Sequence, residues 1–172
     1  MARNILVSSG RLKYAQAVCV GSHVFQADEP VDVGGGDIGP NPQELLMASL
    51  GACANITAQM YAERHQWPLK GVQSVASHVR VLAEKTPGSD ATRGIVDRIE
   101  LEIAFTRGLS QEQEQRLLEI VSRCPIHRML TSSTQVCTRL TMKLSHDGTA
   151  SQCRTAIIRS FCKSDCRPVR LS

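Results

Sequence analysis

The sequence predicts an α+β domain. Three observations carry this expectation. Residues 95–106 alternate apolar and polar side chains, an uncharged run from Leu45 to Ala62 follows a set of helix-start signals, and the elements read in order as strands, long helix, strands, helix pair and strand. In the alternating segment Ile99, Leu101, Ile103 and Phe105 interleave with Arg98, Glu100, Glu102 and Ala104, the pattern of an antiparallel strand with one wet face.

Residues 4–28 read as strands, with 14–20 and 23–27 flanking the hairpin-type turn Gly21-Ser22. A loop over 29–39 contains Gly34-Gly35-Gly36, which permits positive φ or close backbone approach. No strand leads directly into these glycines and no Lys-Ser/Thr follows, which excludes a nucleotide-binding fingerprint. The long helix is well marked. Asn41 suits the N-cap, Pro42 the first turn, and Glu44 the position three residues past the cap. It runs to about residue 65, where Trp67-Pro68 stops it, giving a length of ~35 Å. Gly51, Ala52 and Ala54 around Cys53 should let another backbone approach.

Two strands follow, over 72–83 and 95–106, joined by a loop over 84–94 that holds Pro, Gly, Ser and Asp. Ser110 and Gln113 stand at capping-box spacing and open a second helix, with Leu117, Leu118 and Val121 on its inner face. Cys124-Pro125 begins a short third helix to about residue 130, and a final strand is expected over 134–143. The reading gives one domain over 1–143 and a basic, cysteine-containing tail over 144–172 that lacks a strong period and is expected to be poorly ordered.

A length of 172 residues suits a domain with a sizeable core, and 3% aromatic content makes that core aliphatic. Most of the net charge of +4 sits in the tail, where Arg154, Arg159, Lys163, Arg167 and Arg170 face Asp147 and Asp165. The body therefore carries no nucleic-acid footprint, and the tail reads as a solvated basic segment. Ser49, Asn55, Thr57 and Gln59 interrupt the uncharged run, which favours a buried central helix over a membrane span. The first residues show no signal-peptide pattern, so a cytoplasmic protein is expected, with its seven cysteines mostly free thiols. His146, Cys153, Cys162 and Cys166 match no compact zinc spacing, so neither a metal nor a cofactor is expected. No G-x-S-x-G elbow appears, which argues against an independent serine hydrolase.

The chemistry concentrates on two thiols. Cys124 precedes a first-turn proline, so its sulfur should lie near free helix N–H groups, with His127 and Arg128 adding positive charge. Cys53 sits mid-helix, where an apolar setting alone raises a thiol pKa. Residue type and position thus nominate Cys124 as the sharper thiolate. The bland alternative is that both cysteines fill the core, as Cys19 and Cys137 in strand-like segments would. Glu44 is most simply a capping carboxylate, and His127 a structural first-turn residue.

Several motifs together resemble one family. Asp28-Glu29-Pro30, Gly39-Pro40-Asn41-Pro42, Glu44-Leu45-Leu46, Leu50-Gly51-Ala52-Cys53, Met60-Tyr61-Ala62, Trp67-Pro68-Leu69 and Cys124-Pro125-Ile126-His127-Arg128 resemble the OsmC/Ohr family of osmotically inducible and organic-hydroperoxide-resistance proteins, in its OsmC-like branch. The resemblance covers about residues 10 to 143. It implies antiparallel sheets around a long central helix and a tightly intertwined homodimer. It also implies a peroxiredoxin-type, antioxidant activity in the oxidative stress response. Cys53 would match the peroxidatic cysteine and Cys124 the resolving one, reversing the dipole-based ranking. A small hydroperoxide or apolar electrophile would be the substrate, and an external dithiol of the dihydrolipoamide type the reductant.

The family's glutamate after Asn-Pro is here Gln43, with the acid one place later at Glu44. Gln43, Glu44, His127 and Arg128 are the candidate supporting residues. The family's activating arginine has no obvious counterpart in residues 33–41, leaving Arg11, Arg64 and Arg128 as candidates. The alternative from another class is a non-enzymatic redox-sensing or small-ligand-binding protein on the same scaffold. A weaker third reading is an accessory domain beside a hydrolase partner.

Overall fold

The structure, a computed structural model, describes residues 4–9, 12–82, 95–106 and 108–140. They form an α+β fold with two antiparallel sheets and one long helix. The chain divides into two compact units, one taking in Met1–Glu44 and Gln135–Ser172, the other Leu45–Thr134.

The first unit holds β1 (Ile5–Ser9), β2 (Gln16–Val20) and β3 (His23–Ala27) in a meander of that order. Val18 pairs with Phe25 and Cys19 with Val24 across the hairpin that Gly21-Ser22 closes. Val18, Cys19 and Ala27 are buried. Cys19 is disulfide-bonded, which corrects the expectation of a free thiol there. The glycine loop is tied by Asp28, a buried carboxylate whose two oxygens accept from the amides of Gly36 at 2.8 Å and Glu29 at 2.9 Å. Gly34 has φ +90°, and a Cβ on Gly35 would lie 1.7 Å from the Glu29 carbonyl oxygen. Those two positions require glycine.

Helix α1 (Pro42–Arg64) opens on a reciprocal capping pair. The Glu44 amide donates to Asn41 Oδ1 at 2.9 Å, and the Asn41 amide donates to Glu44 Oε2 at 2.7 Å. The expected capping role of Glu44 is therefore the observed one. At the other end Gln66 takes φ +56° and the Trp67 amide closes on the Ala62 carbonyl at 2.9 Å. No helix among the described residues is long and apolar enough to cross a membrane.

In the second unit β4 (Val72–Leu82) and β5 (Ile95–Phe105) form a long antiparallel pair with Val72 opposite Phe105 and Arg80 opposite Asp97. Ile99, Leu101, Ile103 and Phe105 are half-buried while the residues between them are exposed, as the alternation predicts. Helix α2 (Gln111–Val121) begins with the Ser110–Gln113 capping box, and α3 (Pro125–Thr131) follows after one turn. The core joins Ala54, Ala58 and Ala62 of α1 to Leu117 and Val121 of α2, with Leu101, Ile103 and Phe105 packed against it. Around it Tyr61, His65 and Trp67 stack their rings, and Arg116 Nε donates to the Tyr61 hydroxyl at 3.2 Å.

Two expectations differ. Residues 133–140 form no strand, and Val136 and Leu140 are open to solvent. A strand needs a partner edge for its backbone groups, and neither sheet pairs with this segment among the described residues; its remainder, 141–143, lies outside them. Of the small residues around Cys53, Gly51 and Ala54 are buried but Ala52 is exposed, because it falls on the opposite side of the helix. The tail from 144 and its His146, Cys153, Cys162 and Cys166 lie outside the described residues.

Leu117 is fully buried and Asn41 supplies a cap, so both are measurable by urea unfolding. Leu117→Ala is expected to cost about 2–5 kcal/mol, and Asn41→Ala about 1 kcal/mol. A cost for Leu117→Ala no larger than that for Asn41→Ala would contradict the core assignment.

Candidate active site

Cys53 is carried on α1, one turn after the buried Leu50 and one turn before Thr57, whose hydroxyl donates to the Cys53 carbonyl at 2.7 Å. It is half-exposed. Cys124 is the N-cap of α3 and is fully buried. Its sulfur takes the acceptor role usual for a serine or threonine oxygen, receiving the His127 amide at 3.4 Å. Pro125 at N1 needs no acceptor for a missing N–H. Both cysteines are free thiols, and their side chains are close enough to interact electrostatically. Two residues 71 positions apart in the chain are thus brought into contact.

Burial pushes the Cys124 thiol above its ordinary pKa, the His127 amide pulls the other way, and the neighbouring Cys53 raises it further. This overturns the expectation that the helix start lowers the Cys124 pKa. The magnitudes explain why. A helix end contributes about 0.3–1 kcal/mol, less than one pKa unit, whereas full burial shifts a group by up to about 3–5 units. A helix of seven residues also has little dipole to offer.

Beside the pair lies an open cleft of about 450 Å³. Its walls are largely aliphatic, with Leu50 from α1, Ile99, Leu101 and Ile103 from β5, and Leu118 and Val121 from α2, and they also include Asp97, Ser122, His127 and Thr131. Three wall residues touch the environment of the thiols. Leu50 shares the Cys53 face of α1, Val121 accepts the Cys124 amide at 3.0 Å, and His127 holds the Cys124 sulfur by its own amide. Neither sulfur lines the cleft itself.

A family model described as OsmC-like protein matches residues 34–139, a span that includes both thiols and the glycine loop. The chain belongs to the OsmC family. Similar solved structures share its fold at low identity. An organic hydroperoxide resistance protein OsmC from Legionella pneumophila is 19% identical, with TM-score 0.56 over 76% of this chain and 90% of its own. One from Elizabethkingia anophelis, with thiocyanate bound, is 20% identical, with TM-score 0.57 over 77% of this chain and 90% of its own. One described as putative from Vibrio cholerae, with captopril in one of its active sites, is 16% identical, with TM-score 0.55 over 77% and 88%. A comparison with curated proteins finds no match.

On this OsmC-like scaffold the residues expected at the site divide into two sets. Cys53, Cys124 and the His127 backbone come together. Gln43 is exposed in the first turn of α1, and Glu44 is occupied as its cap. Arg128 is exposed on α3, its amide closing the first turn on the Cys124 carbonyl at 3.0 Å. Arg64 is exposed at the end of α1, and Arg11 lies outside the described residues. No group of three metal-ligating side chains occurs among the described residues. The cleft, and the polar residues His78, Arg80 and Asp97 toward the Leu82–Ile95 end of the β4–β5 pair, had no sequence motif to announce them. Only the parity of Asp97 with Ile99 hinted that it shares the apolar face.

The raised Cys124 thiol makes stability pH-dependent. Above its ordinary value of 9.0 the unfolded chain loses this proton while the folded protein keeps it. The stabilisation is therefore complete below that value and is lost as pH rises through the folded-state pKa. As pH rises through and above 9.0 the wild type should lose unfolding free energy more steeply than Cys124→Ser. Parallel slopes for the two proteins would argue against a buried, proton-retaining thiol.

Proposed function

We propose that the protein is a thiol-dependent peroxidase that reduces organic hydroperoxides, and the observation that carries this reading is the contact between a half-exposed Cys53 and a buried Cys124. The division of exposure suits a division of labour. The accessible Cys53 thiolate attacks the O–O bond of the hydroperoxide, the distal oxygen passes to sulfur as a sulfenic acid, and the alkoxide leaves and takes a proton as the alcohol. The Cys124 sulfur then displaces water from the sulfenic acid and forms a Cys53–Cys124 disulfide. A dithiol of the dihydrolipoamide type reduces that disulfide by two exchange steps and is itself oxidised. A raised thiol pKa at Cys124 keeps it out of the first step, while its position beside Cys53 serves the second.

The aliphatic cleft supports an organic rather than a small inorganic peroxide, since apolar walls reward burial of an alkyl group. The resemblance supplies the rest of the reading, a cytoplasmic, intertwined homodimer in which another group takes the place of the family's arginine. Exposed Ile5, Val7, Val24 and Ile95 support an assembly that covers apolar surface. A second reading is favoured by Gln43 alone, where the family places an acid. With no ion pair available there, the same scaffold would bind or sense an apolar electrophile stoichiometrically.

Consumption of cumene hydroperoxide with dihydrolipoamide separates the two. Sustained turnover that vanishes in Cys53→Ser is expected, whereas Cys124→Ser should accept one equivalent of oxidant and form no intramolecular disulfide by mass analysis. Equal turnover in wild type and Cys53→Ser would rule out the assignment, and a single stoichiometric oxidation of wild type would favour the sensing reading.

A further inference from the structure

Cross-strand partners in an antiparallel pair project from the same face. In β4–β5 the register sets Ser74 opposite Ile103, Ala76 opposite Leu101, His78 opposite Ile99 and Arg80 opposite Asp97. Ser74 is the side chain that a Cβ on Gly51 of α1 would meet at 2.9 Å, so this is the inner face. Three polar residues, His78, Arg80 and Asp97, thus interrupt the apolar row before the Leu82–Ile95 pair that follows on the same face. The cleft follows the same row, lined by Ile103, Leu101 and Ile99 and then by Asp97. From Ile103 to Asp97 the strand advances about 20 Å, so the cleft is an elongated trough. Its thiol end is marked by Leu50, Val121 and His127, and its far end by Asp97.

The two basic partners of Asp97 converge on a single oxygen. His78 Nε2 lies 2.8 Å from Asp97 Oδ1 and Arg80 Nε 3.6 Å from the same atom. Both contacts fall on Oδ1 rather than on Oδ2. Neither His78 nor Arg80 is part of the lining, whereas Asp97 is. What the trough presents at its far end is therefore an acceptor whose Oδ2 takes neither of these contacts, its cations placed off the lining.

We propose that Asp97 is a specificity-determining residue that reads the end of the ligand remote from the thiols, favouring aliphatic molecules that end in a hydrogen-bond donor such as a hydroxyl and disfavouring those that end in a carboxylate. This rests on the peroxidase reading only for which end of the molecule reacts. The aliphatic rows of β5 and α2 hold the chain. A terminal hydroxyl donates to Asp97 Oδ2, a terminal methyl leaves that oxygen to water, and a terminal carboxylate meets a like charge with no donor to offer. Because the Asp97 side chain is 69% exposed, solvent screens the discrimination, which should be about fivefold rather than orders of magnitude.

Binding of unreactive probes tests this without turnover. Octanol, octanediol and octanoate are titrated into full-length Cys53→Ser protein by calorimetry at low salt. Octanediol should bind more tightly than octanol, and octanoate about fivefold more weakly than octanol. Asp97→Asn should bring octanoate up to octanol, and Arg80→Gln should deepen the octanoate penalty by removing a screening cation. The proposal is overturned if octanoate binds as well as octanol to the parent protein, if Asp97→Asn leaves the order unchanged, or if none of the three probes binds. A correct order of binding in a protein that shows no peroxide turnover would remove the peroxidase reading and leave the assignment of Asp97 intact.

Discussion

The second unit depends on one constraint, the small-residue stripe along α1. Gly51, Ala54, Ala58 and Ala62 recur at helical spacing and are all buried. The missing side-chain volume at Gly51 admits the Ser74 side chain of β4, and the three alanines share a core with Leu117 and Val121 of α2. Larger residues there would force the packed elements outward, since a close-packed interior has no slack to absorb extra methylenes. The position of α2 in turn fixes the turn that follows it, because the Cys124 amide closes on the Val121 carbonyl. The same packing that stabilises the unit therefore delivers Cys124 to the neighbouring face of α1, where Cys53 waits.

The two thiols differ because two opposing effects act on the same atom. A helix start stabilises negative charge, and burial penalises it. At Cys124 the helix is short and the burial complete, so the penalty wins. A buried, proton-retaining thiol held by a backbone amide is poorly suited to meet a diffusing oxidant and well suited to meet an oxidised neighbour. In the proposed cycle the order of events would follow from burial, not from sequence position. Fixing both thiols in one core also limits what the site can lose. A substitution in the small-residue stripe would disturb stability and the sulfur contact together.

Local signals in the sequence determined much of the secondary structure. Both capping boxes, the stop at Trp67-Pro68, the Gly21-Ser22 hairpin, the strict β5 alternation and the Cys124-Pro125 helix start all rest on residues within four positions of one another. The expected strand over 134–143 failed for the opposite reason, since its apolar residues needed an edge that no local rule provides. Family motifs also marked Cys53 and Cys124 as a pair, whereas the helix-start argument expected a lowered Cys124 pKa where burial raises it.

What the sequence by itself determined is therefore the inventory of elements, the family and the identity of the two thiols. What only the tertiary structure decided is the contact between those thiols, the raised proton affinity of Cys124, and the trough that ends at Asp97. The physical reason is that each depends on desolvation and register. Burial of Cys124 is set by helices distant in the chain. The facing of Arg80 and Asp97 is set by where a hairpin closes, and a slip of one residue in either strand would put the two on opposite faces.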